Sequence, residues 1–339
     1  MQFFCYLGSI SCSMMYFFTS ENLWLGILLV ILACIGYSGS IVFYNAYLPE
    51  IAEPEQQDRV SARGFAMGYA GSSLLLIFNL TLVLKPEWYG IESKAMASRI
   101  GFLLVGIWWV SFAQIPFYYL PNNSHTRNFA EENYLSKGYK ELIKVWGELK
   151  HNSRLTKFLS AFFVYNMGVQ TVMLVATLFG KKELHLEAGQ LITTILIIQF
   201  IAIIGAYLFS YISKIKNNIF TLKCAVVIWI GVCIAAYFTY TSLQFYMIAF
   251  TVGLVMGGIQ SLSRSTYSKM LPETIDHSSY FSFYDVCEKL GIVLGMGLFG
   301  LMETLSDNMR NPVISLIVFF VVGFVLLLRI PKEQKAQTE

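Results

Sequence analysis

The run Leu23-Trp-Leu-Gly-Ile-Leu-Leu-Val-Ile-Leu-Ala-Cys-Ile-Gly-Tyr-Ser-Gly-Ser-Ile-Val-Phe-Tyr-Asn-Ala-Tyr47 contains no acidic or basic side chain. About 20 apolar residues are enough for a helix to cross a hydrocarbon core of roughly 30 Å. Lipid gives the backbone no hydrogen-bond partner, so a run that crosses it must be a helix or a strand of a closed barrel. This run lacks the alternation of a barrel strand and predicts a helix. Working outward, similar runs cover Gln2 to Phe18, Gly64 to Leu84, Ile100 to Leu120, Lys157 to Gly180, Gly189 to Ser213, Ile219 to Tyr240, Leu243 to Leu262, Tyr280 to Met302 and Val313 to Leu328. The expectation is an all-α membrane protein with about ten transmembrane helices. Of the 339 residues, 56% are hydrophobic and 13% charged, against roughly 25% charged in a soluble domain.

One long hydrophilic stretch, Pro121 to Thr156, separates four spans from six. The division expected is an N-terminal bundle over 1–120, a central loop over 121–156, a six-helix bundle over 157–330 and a tail over 331–339. With the central loop cytoplasmic, only Lys85, Lys94, Arg99, Lys181, Lys182 and Arg310 fall outside, and Lys289 lies within a span. The reverse orientation breaks the positive-inside rule, so both termini are expected in the cytoplasm. No Lys or Arg precedes Arg59, which argues against the basic n-region of a signal peptide. Within the loop, Leu135, Tyr139, Leu142, Trp146 and Leu149 recur at helical spacing among lysines. That pattern predicts an amphipathic helix lying along the membrane surface.

Sliding the chain on itself places Ser38, Ser40, Tyr44 and Leu48-Pro49-Glu50 on Ser261, Ser263, Tyr267 and Leu271-Pro272-Glu273, and Gly68 on Gly291. The displacement is six helices. Parallel repeats of six helices joined by a cytoplasmic loop are the plan of a major facilitator transporter. With four spans before the loop, the expected arrangement is 4 + 6, helices 3 to 12 of a twelve-helix pattern whose first two are absent from this sequence.

The same segments, Phe43-Tyr-Asn-Ala-Tyr-Leu-Pro-Glu-Ile-Ala52, Ser61-Ala-Arg-Gly-Phe-Ala-Met-Gly-Tyr69, Gly257-Gly-Ile-Gln-Ser-Leu-Ser-Arg-Ser-Thr-Tyr267 and Phe281-Ser-Phe-Tyr-Asp-Val-Cys-Glu-Lys-Leu-Gly291, resemble the autophagy-related vacuolar amino-acid effluxers and their bacterial relatives in the major facilitator superfamily. The resemblance implies a permease, with amino-acid export the activity of the eukaryotic branch, and a bacterial cytoplasmic membrane as its location. It also implies an acidic and basic gating signature in two loops. One of these would precede Met1, and in the other, Tyr211-Ile-Ser-Lys-Ile-Lys216, Ser213 stands where an Asp is expected.

Ionisable side chains inside a membrane are costly and therefore informative. Asp285, Glu288 and Lys289 stand early in one span, with Asp285 and Lys289 four apart and able to pair. They are candidates for a gate, an ion relay or a structural interfacial pair. Glu50 and Glu273 close the repeated helices with Arg59, Arg63, Arg264 and Lys269 nearby, candidates for ion pairs at the cytoplasmic mouth or for simple anchors at headgroup level. Asn166 and Gln170 form a polar stripe that should avoid lipid, and Gln199, Gln260 and Asn79 sit in other spans. These five are candidate solute contacts, with interhelical hydrogen bonding as the plainer alternative. Gly253, Gly257 and Gly258 suit close helix packing.

No His-Glu-x-x-His, nucleotide-binding loop or nucleophile-elbow pattern occurs, so neither an enzyme nor an ATP-driven pump is expected, nor a cofactor or metal. The six cysteines lie in apolar runs and read as small core residues. The basic loop is explained by topology, not by nucleic acid. The expected partners are membrane lipid and a small-molecule solute, with the chain a monomer. The leading function is a secondary transporter of a small polar solute such as an amino acid. A proton-coupled drug or metabolite exporter and a non-transporting truncated membrane protein are the alternatives.

Overall fold

The computed structural model describes residues 1–120, 134–274, 276–306 and 308–331. The central loop from Pro121 to Asn133, the side chain of Leu135 and the tail from Lys332 lie outside the described residues. Among the described residues thirteen α-helices follow in order: α1 (Gln2–Met14), α2 (Leu23–Ala46), α3 (Leu48–Ile51), α4 (Pro54–Leu84), α5 (Lys94–Tyr119), α6 (Tyr134–Leu149), α7 (Ser153–Glu183), α8 (Ala188–Lys216), α9 (Asn218–Tyr237), α10 (Ser242–Met270), α11 (His277–Leu305), α12 (Arg310–Ser315) and α13 (Ile317–Leu328). No strand occurs among the described residues. Each expected span coincides with a helix or, for the last, with the pair α12 and α13. Among the described residues, eight helical segments are long and apolar enough to cross a membrane. The two others are α1, at 13 residues, and α11, which carries Asp285, Glu288, Lys289 and Glu303.

Several helices outrun the apolar windows that announce them. α4 begins at Pro54 where the window began at Gly64, and α10 runs to Met270 past Leu262. Hydropathy marks only the lipid-facing stretch, whereas a helix continues until its backbone is capped or broken. Pro54 opens α4, where a missing N–H costs nothing, and Leu271 turns extended before Pro272 to end α10. Asn152 and Asp276 accept from the N–H groups of Leu155 and Ser279, and Thr241 with Gln244 forms a capping box.

The chain falls into two compact units, Met1–Tyr47 with Gly71–Lys140, and Leu48–Ala70 with Glu141–Glu339. In the first, α1 packs on α2 and α5 through small residues. A Cβ on Gly36 would lie 2.5 Å from the Gly8 nitrogen, and one on Gly106 would lie 2.5 Å from the Ser9 carbonyl oxygen. In the second, α7 packs on α11 and α13, and α8 on α10. Trp229 of α9 stacks on Phe320 of α13, and Phe162 of α7 on Tyr284 of α11, with ring centroids 5.6 and 4.3 Å apart. Trp24 and Leu243 are among many large apolar side chains left exposed on the helices, as befits surfaces solvated by lipid.

α6 forms where the amphipathic pattern placed it. Its buried residues are Leu149, which belongs to the expected stripe, and Val145, which does not, while Tyr139 stays exposed and Trp146 stacks on Phe283 at 5.7 Å. The Tyr280 hydroxyl donates to Glu148, fastening α6 to α11.

Candidate functional site

A line of polar residues in the second unit runs where the start of α4 meets the last three turns of α10. On α4, Asp58, Ser61, Phe65 and Tyr69 recur at spacings of three and four and so share one face. α10 answers with Lys269, Arg264, Ser261 and Gln260 in the opposite order. The Lys269 ammonium lies 2.8 Å from Asp58. Arg264 donates from Nε to Ser61 Oγ at 3.0 Å and from a terminal nitrogen to the Ser61 carbonyl at 2.9 Å, with its guanidinium 4.5 Å from the centre of the Phe65 ring. The Ser61 hydroxyl donates to the Ser261 carbonyl at 2.7 Å, and Tyr69 donates to Gln260 at 2.5 Å. At 1.5 Å per residue this seam is about 16 Å long.

The carboxylate of Asp58 is the hub. Besides Lys269 it accepts from Ser213 of α8 at 2.9 Å and from Asn218 of α9 at 2.7 Å, and Asn218 also donates to Thr266 at 3.0 Å. Asp58 and Arg264 are only 6% and 5% exposed. A buried charge persists when its lone pairs and protons are matched, and both residues meet that condition. Ser213, standing where the resemblance led us to expect an Asp, does lie beside a carboxylate, but one that α4 supplies. Sequence reading missed Asp58 because it is one acid among several in Glu53-Pro-Glu-Gln-Gln-Asp58. The available signal was its helical register with Ser61, Phe65 and Tyr69.

Arg264, Lys269 and Gln260 are thus the residues named from the sequence that the seam brings together. Arg63 and Glu273 are exposed and enter no ion pair among the described residues. Glu50 lies 3.6 Å from His277. Asp285 and Lys289 pair as their spacing predicted, at 3.5 Å, and Glu288 stands 3.6 Å from the same ammonium. Gln170 of α7 reaches Glu288 at 3.4 Å, so the α7 stripe and the α11 charges form one patch. Asn166, 5% exposed, leaves its amide nitrogen without a partner. Gln199 is half-buried on α8. Asn79 belongs to the first unit, where its unpartnered oxygen lies beside Gly101 of α5.

The glycines resolve in favour of packing. A Cβ on Gly257 would lie 2.0 Å from the Ala202 carbonyl oxygen, and one on Gly205 2.0 Å from that of Leu254. α8 and α10 therefore touch backbone to backbone, which only small residues permit.

The Arg264 fork yields a direct prediction. Arg264→Lys keeps the charge but cannot reproduce two directed bonds from a planar group. Each hydrogen bond to a charged group contributes about 1.5–3 kcal/mol, so the variant should lose about 2 kcal/mol of stability and Arg264→Ala more. Unfolding of the purified protein in detergent measures both, and an Arg264→Lys midpoint equal to that of the parent would remove the fork from the account.

The fold and the buried seam define an all-helical integral membrane protein of the major facilitator class. Solved structures with this architecture include the fucose:proton symporter FucP of E. coli (TM-score 0.68, 14% identity, covering 98% of this chain and 82% of that one) and the human organic anion transporter MFSD10 (TM-score 0.69, 12% identity, 95% and 76%). Residues 1–339 match the family described as vacuole effluxer Atg22 like, and the chain belongs to that family. It is 30% identical over 334 residues to the uncharacterized MFS-type transporter YxiO of Bacillus subtilis, covering 98% of this chain and 77% of the relative. It is 26% identical to autophagy-related protein 22 of Yarrowia lipolytica and 25% identical to that of Saccharomyces cerevisiae. The chain spans 51% and 58% of those two fungal relatives.

Proposed function

We propose that this protein is a secondary transporter that moves a small polar solute, an amino acid in the leading reading, by alternating access. The observation that carries the reading is the seam: a line of buried charges and hydroxyls between α4 and α10, running from the Asp58–Lys269 pair to the Tyr69–Gln260 bond, in a chain of an effluxer family. Under the positive-inside orientation, the Asp58–Lys269 end of the seam is cytoplasmic. Its closure shuts that mouth, and opening requires α4 to leave α10. Buried ion pairs suit this work because their attraction and their desolvation cost nearly cancel, so a small bias can part them.

Solute contact is assigned to the patch of Gln170, Glu288 and Asn166 on α7 and α11. A carboxylate and two carboxamides can hold an ammonium group and a polar backbone. Exchange of radiolabelled amino acids across proteoliposomes tests the function, and absence of saturable counterflow over a broad panel overturns the amino-acid reading. Gln170→Leu removes one directed contact while conserving bulk, so exchange should fall about tenfold with an unchanged melting temperature, the kinetic equivalent of ~1.4 kcal/mol. Exchange at the parent's rate would take Gln170 out of the solute site.

A further inference from the structure

The two copies of the Leu-Pro-Glu motif meet in the second unit and leave a cleft of about 400 Å³ between them. One wall is α3 and the start of α4, with Glu50, Glu53 and Gln57. The other is the end of α10 and the start of α11, with Ser268, Glu273 and His277.

Three polar atoms in these walls are buried and have no partner: Gln57 Oε1, Ser268 Oγ and His277 Nδ1. Gln57 is 3% and Ser268 5% exposed. The Gln57 amide nitrogen is already committed to the Ala52 carbonyl at 3.2 Å, and His277 Nδ1 lies 3.6 Å from Glu50, too far for a hydrogen bond. Buried groups left this way are rare in folded proteins, because each gives up hydration without compensation. Their collection around one cleft indicates that something polar completes it.

Charge decides what that something is. Glu53 and Glu273 supply two exposed carboxylates and Glu50, 3.6 Å from His277, stands beside them, while the one lysine on the walls, Lys269, is neutralised by Asp58 at 2.8 Å. The α11 N-terminus, which could attract an anion, is capped by its own Asp276. A cation is therefore favoured. Among the described residues no three His, Cys, Asp or Glu side chains are grouped to hold a metal ion, and a carboxamide oxygen, a hydroxyl and carboxylates together ask for N–H donors.

We propose that this cleft binds a small organic cation carrying N–H donors, of the alkylammonium or guanidinium class. Such a ligand ties α3 and the α4 start to the α10 end, so by linkage it favours the arrangement in which Asp58 and Lys269 are paired. Binding at this cleft does not depend on the transport reading.

Calorimetric titration of the purified full chain with n-butylammonium chloride tests the proposal, with tetramethylammonium chloride and magnesium chloride as probes lacking N–H donors. We expect saturable one-site binding of n-butylammonium alone, and at least about tenfold weaker binding to a Glu53→Gln/Glu273→Gln variant, whose substitutions lie on exposed side chains. Gln57→Leu should weaken binding as well, and the melting temperature of each variant without ligand reports that it is folded. Equal binding of tetramethylammonium or magnesium, undiminished affinity in the folded double variant, or no saturable heat with n-butylammonium would each overturn the assignment.

Discussion

Replacing Asp58 with Asn should produce the largest electrostatic loss in the molecule. The side chain holds Lys269, Ser213 and Asn218 at once, at 2.8, 2.9 and 2.7 Å. An amide of the same shape leaves the Lys269 ammonium without a carboxylate in a largely buried place and turns one acceptor into a donor facing Ser213 or Asn218. Removing one partner of a buried pair costs about 3–5 kcal/mol, mostly through the charge left behind. Unfolding in detergent should therefore show a clearly lower midpoint for Asp58→Asn. The double variant Asp58→Asn/Lys269→Met removes the stranded charge and should regain at least half of that loss. The single variant should also open the seam more often. In a background without native cysteines, a cysteine at the fully buried Ser265 should then react faster with a water-soluble maleimide. An Asp58→Asn protein with the parent's stability and labelling rate would show that the hub is decorative.

Gly257→Val should be the most damaging steric change, and Gly205→Val its counterpart on the facing helix. The added Cβ would meet the backbone oxygen of Ala202 or Leu254 at 2.0 Å, and a backbone cannot turn aside as a flexible side chain can. α8 and α10 would have to separate along their whole contact, taking Ser213 away from the seam. Inserting bulk into a close-packed contact costs about 1–3 kcal/mol where side chains can yield, and more is expected here because none can. The folded yield of either variant, measured by gel filtration after extraction, should drop sharply. Gly231 provides the comparison, since a Cβ there meets nothing within 4 Å. Gly231→Ala should behave as the parent, and equal yields from Gly257→Val and Gly231→Ala would refute the backbone contact.

Much of the architecture was legible before any coordinates. Uninterrupted apolar runs force helices in lipid because no other backbone conformation satisfies its own hydrogen bonds in one segment. The Asp285–Lys289 pair was legible for a related reason, since residues four apart on a helix are neighbours whatever surrounds them. The glycines of α10 carried only half their meaning. Their spacing announced a close contact, but that α8 was the partner depended on how helices far apart in the chain pack.

What the sequence determined by itself is therefore everything local or imposed by solvent: the class, the helices, the amphipathic α6 and the pairing along α11. What the tertiary structure alone decided is which polar groups meet. Asp58 looked like one more acid in a hydrophilic stretch, Ser213 like a missing carboxylate, and Gln170 and Glu288 like separate candidates. Electrostatic and hydrogen-bond partners act over about 3 Å, and only folding brings residues more than 100 positions apart within that reach.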